Sequence, residues 1–136
     1  MNLFKITLLF LFVLITYSSK AQNVSLLGKT DEFIMESVTG YASVQERALE
    51  HEQYNILVFE DKDRELSFYF TFYQGQKICD LIRSISPVDK ESEDVKLVKN
   101  TYIKKEGNVW ENPEKTVQAR ITVTGEEIVL TLRNLR

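Results

Sequence analysis

Glu65-Leu66-Ser67-Phe68-Tyr69-Phe70-Thr71-Phe72-Tyr73 alternates without a break. Leu66, Phe68, Phe70 and Phe72 fall on one side, and Ser67, Tyr69, Thr71 and Tyr73 on the other. A period of two, rich in aromatics, is the pattern of a strand with one buried and one wetter face. The flanking stretches read the same way. Tyr54 to Glu60 comes before it, across the charged tip Asp61-Lys62-Asp63-Arg64. Gln74-Gly75-Gln76 then turns the chain into a third strand, Lys77 to Ser86. Strands this close in sequence pair antiparallel.

Towards the N-terminus, Gly28-Lys29-Thr30 predicts a helix start. Thr30 caps the first amides, and Asp31 and Glu32 meet the positive end of the helix dipole. Phe33, Ile34, Val38 and Tyr41 mark its apolar side, and Gly40 its stop. Ala42 to Gln53 is polar and reads as a loop or a further helical turn, with Ala48-Leu49 favouring helix.

Towards the C-terminus, Pro87 ends the first sheet segment. Glu91, Glu93 and Asp94 precede Lys96, Lys99, Lys104 and Lys105, the charge order a helix prefers. Val95, Val98 and Tyr102 supply its stripe, and Gly107-Asn108 closes it. Val109-Trp110-Glu111 reads as a short strand or a docked loop. Thr116 to Thr124 alternates again, with Val117, Ala119, Ile121 and Val123 on one side. Gly125 makes a tight hairpin into Ile128 to Leu135, where Ile128, Leu130 and Leu132 point inward. The expected fold is α+β and two-layered. It has an antiparallel sheet of about five to six strands with two main helices on one face. Phe68, Phe70, Ile121, Val123, Leu130 and Val98 are its expected core. The halves also run as a degenerate α-β-β-β repeat in topology, without residue-level self-similarity.

Residues 1–21 carry the pattern of a signal peptide: Lys5, an uncharged run from Ile6 to Tyr17, then Ser19 and Ala21 before the cut. The run of 12 residues is shorter than a bilayer span needs. The expected product is a single domain, residues 22–136, exported to the periplasm or the extracellular space. No stable membrane anchoring is expected after cleavage, because the only cysteine, Cys79, is far from the cut. Lys5 and Lys20 belong to the leader, which leaves 15 of the 17 cations against 20 acids. A net acidic domain is a poor partner for nucleic acid. A lone cysteine forms no internal disulfide, and apolar Ile78-Cys79-Asp80-Leu81-Ile82 predicts a buried thiol.

The chemical motifs are incomplete. Gly28-Lys29-Thr30 lacks the glycine five residues earlier that a phosphate loop needs, since Asn23 stands there. His51-Glu52 lacks a second His, with Asn55 in its place, and one His and one Cys make no zinc site of that kind. Asp61-Lys62-Asp63-Arg64-Glu65 has Leu66 and Phe72 where a calcium loop needs Gly and Glu, so it reads as a charged hairpin tip. The expectation is therefore no catalytic, cofactor-binding or metal set. Carboxylate pairs are numerous but none is singled out.

Ser19-Lys20-Ala21-Gln22, Gly28-Lys29-Thr30 and Leu57-Val58-Phe59-Glu60-Asp61-Lys62 resemble small, functionally uncharacterised exported proteins of Gram-negative bacteria. More loosely, a Gly-x-Thr helix start before an antiparallel sheet is similar to the secreted β-lactamase-inhibitor proteins and to outer-membrane assembly lipoproteins. The chain lacks the lipid-bearing Cys of the latter and the disulfides of the inhibitors. No site residue follows from the likeness.

The leading functional expectation is a non-catalytic exported binding module, its partner another exported protein or a small ligand. The alternatives are an exported hydrolase built on carboxylates and an inhibitor of another exported protein. The expected binding surface is the uncovered sheet face, with Tyr69, Tyr73, Arg120 and Arg133 as its anchors, beside Thr71, Gln118, Thr122 and Thr131. Tyr and Arg combine large contact area with polar tips. An ordinary solvated sheet face carries the same residue types.

Overall fold

The computed structural model describes residues 23–48 and 55–135. The export signal expected over 1–21, His51, and the strand start at Tyr54 lie outside the described residues.

Among the described residues, beside two short 3-10 turns, two α-helices and eight strands make up the fold. They are α1 (Asp31–Ser37), β1 (Ser43–Ala48), β2 (Asn55–Glu60), β3 (Glu65–Tyr73) and β4 (Gln76–Pro87), then α2 (Glu93–Thr101), β5 (Ile103–Lys104), β6 (Val109–Glu111), β7 (Val117–Thr124) and β8 (Glu127–Asn134). The strands form one antiparallel sheet in the order β1-β2-β3-β4-β8-β7-β6-β5. Each half is one helix followed by four strands, and the halves join where β4 pairs β8. The α-β-β-β repeat expected from the sequence is corrected to α-β-β-β-β, with β1 and β5 as the added strands.

The expected sheet of five to six strands is corrected to eight. β1 occupies the stretch read as loop or helical turn. All six of its residues are exposed, so no hydrophobic alternation announces it. β5 is two residues long and exists only by pairing Ile103 with Glu111 and Lys104 with Trp110. α2 correspondingly ends at Thr101, which leaves Lys104 and Lys105 outside the helix.

Local chemistry explains the boundaries. Thr30 Oγ1 accepts the Phe33 amide at 3.2 Å and Ser92 Oγ accepts the Val95 amide at 3.2 Å, so each helix starts on a hydroxyl cap. The β3–β4 turn has positive φ at both Gln74 (51°) and Gly75 (77°), the type I′ geometry that matches strand twist.

Both helices pack on one face, here called the inner face. Ile34 of α1 and Val95 and Val98 of α2 share one core with Leu57, Phe59, Leu66, Phe68, Phe70, Cys79, Ile82, Ala119, Ile121, Ile128, Leu130 and Leu132. Burying a large apolar side chain contributes roughly 1.5–3 kcal/mol. Of the expected core, Val123 is corrected: it is 63% exposed. Phe72 is 55% exposed for the same reason. Both lie on the inner side of a strand but next to a hairpin turn, past the cover of the short helices.

One irregularity sets the phase of the central strand. Tyr69 pairs with Leu81 but Phe70 pairs with Cys79, so Asp80 is an extra, bulged residue. β8 covers the other edge of β4 only over Leu81–Pro87. Beyond it, Gly28 N donates to Cys79 O at 2.8 Å and Cys79 N to Lys29 O at 2.9 Å. The segment before α1 thereby takes over the edge that β8 leaves.

Candidate functional site: the outer sheet face

The sheet registers fix which residues share the face opposite the helices. One row across the strands reads Gln45, Val58, Ser67, Arg83, Thr131, Arg120, Val109. The next reads Arg47, Ile56, Tyr69, Leu81, Arg133, Gln118, Glu111. A third reads Ser43, Glu60, Glu65, Ile85, Val129, Thr122. Alternation along β3 puts Thr71 and Tyr73 on the same face, with Tyr73 at the far hairpin opposite Gln76.

Tyr69, Arg120 and Arg133 therefore gather near the middle, while Tyr73 stands apart at the rim. Arg83 completes the group and was missed in the sequence. Tyr69, Arg83, Arg133 and Arg120 sit on successive strands β3, β4, β8 and β7, each diagonal to the next. Diagonal neighbours lie about 7–8 Å apart, within reach of long side chains. Leu81, Ile85 and Val129 are half-buried among them. Towards β2 the face closes, with Ile56 and Val58 buried. The accessible part is the β4–β8–β7 side.

A signal for Arg83 existed but pointed the wrong way. In β4 the alternation puts Leu81, Arg83 and Ile85 outside and Ile82, Ser84 and Ser86 inside. Hydrophobicity alone gives the reverse phase.

A second feature lies at one end of the inner face. A cleft of about 1340 Å³ runs between the β2–β3 tip and α2, with Ser84 and Ser86 in its floor. Asp94 and Asp61 both line it. Asp94 Oδ1 accepts the Asn23 amide at 3.1 Å and Oδ2 accepts Asn23 Nδ2 at 2.5 Å. Burial holds its pKa above the usual aspartate value, against those two hydrogen bonds. Asp61 Oδ1 accepts the Ala42 amide at 2.7 Å, and Oδ2 accepts Arg64 Nε at 2.8 Å. The Arg64 hydrogen bond, then the Ala42 amide, push its pKa down. Each oxygen of both carboxylates thus holds a structural partner. The hydroxyls of Ser84 and Ser86 are buried without a partner among the described residues.

Cys79 is fully buried, and burial pushes its thiol pKa up to about 12. Among the described residues, no group of three or more His, Cys, Asp or Glu is placed to hold a metal ion. No described helix is long and apolar enough to cross a membrane. No protein-family model matches the chain, and no curated protein or solved structure matches it.

Proposed function

We propose that the chain is a non-catalytic binding module of an exported compartment, which takes a protein partner on the outer face of its sheet. The observation that carries this reading is the diagonal line Tyr69–Arg83–Arg133–Arg120, with half-buried Leu81 between Tyr69 and Arg133 and half-buried Ile85 and Val129 in the adjoining row, on the side of the sheet away from both helices. Apolar area side by side with Tyr and Arg is the make-up of an interface hot spot. An inhibitor of another exported protein would be one form of such a module.

The test is site-specific photo-crosslinking in cells that express the chain. A crosslinker at Thr122, on the outer face, should capture one defined protein, and one at Lys96, on α2, should not. Capture from Lys96 alone moves the interface to the helix side and ends this reading.

A second reading has one observation behind it. Two carboxylates pushed in opposite directions in one cleft, Asp94 up and Asp61 down, are the pattern of a paired acid and base. The saturated hydrogen bonding of both favours a structural role instead. Hydrolysis of a sugar or ester substrate that is abolished in Asp94→Asn and Asp61→Asn, with both variants folded, would reverse that preference.

A further inference from the structure

Three arginines gather on the outer face where the partner would sit. The described residues contain five arginines, at 47, 64, 83, 120 and 133. Arg47 pairs with Glu60 at 3.3 Å, and Arg64 pairs with Asp61. The other three have no ion-pair partner among the described residues, and all three lie on the outer face in adjacent rows. Arg83 and Arg120 flank Thr131 on either side, about 10 Å apart by the usual strand spacing, and Arg133 lies diagonal to both. Acids stand around the group: Glu65 is diagonal to Arg83 and Glu111 to Arg120, yet neither forms an ion pair among the described residues. Glu60 and Glu65 share the third row, and Glu127 pairs Pro87 at the end of β8.

Three guanidiniums held this close repel one another, and each is a planar fork of donors matched to a carboxylate. No ion pair among the described residues uses that capacity. The arrangement also runs against the balance of the whole chain, which carries 20 acids against 17 cations. A generally cationic surface therefore does not account for it.

We infer that the partner presents a carboxylate-rich protein segment to Arg83, Arg120 and Arg133. This rests on the binding-module reading and names the chemistry of what binds. Electrostatic complementarity of this kind sets orientation and association rate, while Leu81, Ile85 and Val129 supply apolar contact. The acidic edge at Glu60, Glu65 and Glu127 disfavours the same segment in the opposite register.

The test uses poly-L-glutamate of about twenty residues as the probe, titrated into the isotope-labelled chain at low ionic strength. Amide and guanidinium shifts should move at Arg83, Arg120 and Arg133 and not at Lys104, Lys105 or Lys115. Replacing the three arginines by Gln should weaken binding tenfold or more with an unchanged melting curve, and Arg47→Gln should leave it as it is. Added salt should weaken it steeply. Shifts centred on the lysines, or no binding, would overturn the inference. So would tighter binding of inorganic phosphate or of a sulfated polysaccharide at the same arginines, since either marks a different anion. If crosslinking at Thr122 captures a partner whose binding ignores the three Gln substitutions, the outer-face reading survives and the acidic partner does not.

Discussion

The guanidinium carbon of Arg64 lies 4.2 Å from the centre of the Tyr41 ring. From that position Arg64 also donates to Asp61 and, at 2.8 Å, to the Gly40 carbonyl. One side chain on the β2–β3 hairpin thereby fastens the chain that runs from α1 into β1. Tyr41 in turn meets Phe59 edge-on at 5.9 Å, which connects the clamp to the core. Exposed cation–π contacts contribute about 0.5–1 kcal/mol and exposed ion pairs less than about 1 kcal/mol. Arg64→Ala should therefore cost about 1–2 kcal/mol in urea unfolding. Arg64→Lys should recover little, because an ammonium does not reach three partners at fixed angles. A loss below about 0.3 kcal/mol would mean that the clamp is ornamental.

Phe70 and Val123 both lie on the inner side of their strands, but only Phe70 is covered: they are 1% and 63% exposed. Phe70→Ala should cost about 3–5 kcal/mol, a large part of a small domain's stability. Val123→Ala should change it by less than about 0.5 kcal/mol. Equal effects would mean that the helices extend over the hairpin end.

Cys79, with its thiol pushed up to about 12 by burial, is neutral and sealed in the folded chain. Native protein at pH 8 should resist iodoacetamide for hours, and the same protein in denaturant should react within minutes. Labelling under native conditions then measures opening of the sheet at the bulge. Rapid labelling of folded protein would show that this end of β4 opens easily.

The two cleft carboxylates should respond to pH with opposite signs. Asp61 has a lowered pKa in the fold, so the stability it contributes is present above the usual aspartate value. That contribution disappears as pH falls through the lowered value. Asp94 has a raised pKa, so its ionised form is disfavoured by folding. Its cost is absent below the usual value and grows as pH rises through the raised one. Carboxyl-carbon NMR titration should place the two midpoints on either side of the ordinary aspartate value. Coincident midpoints would contradict the hydrogen-bond assignment of one of them.

Much of the fold was legible because β7 and β8 bury one face only and β3 departs from this only at buried Ser67, so a period of two survives in their sequences. Thr30 likewise marks a helix start by a mechanism that needs no tertiary contact, while α2 was legible from its charge order and the Ser92 cap came only with the structure. β1 was hidden because an edge strand with six exposed residues has no apolar side to write into its sequence. β4 was visible as a strand but not in phase. The bulge at Asp80 puts Cys79 and Ile82 on one face despite their odd spacing, and serines then occupy inner positions. Tyr69, Arg120 and Arg133 were within reach because their strands alternate cleanly. Arg83 was not, since its position depends on a register that only the assembled sheet defines.

β8 is the latest strand in sequence and the fifth across the sheet, beside β4. Until residues 127–134 have left the ribosome, β4 is paired along Leu81–Pro87 only on its β3 side, and its other edge has no neighbour. The seam between the halves therefore closes last during synthesis. A chain stalled before Ile128 would display its open backbone edge, with Leu81 and Ile82 along it, at the middle of the sheet instead of at a charged rim.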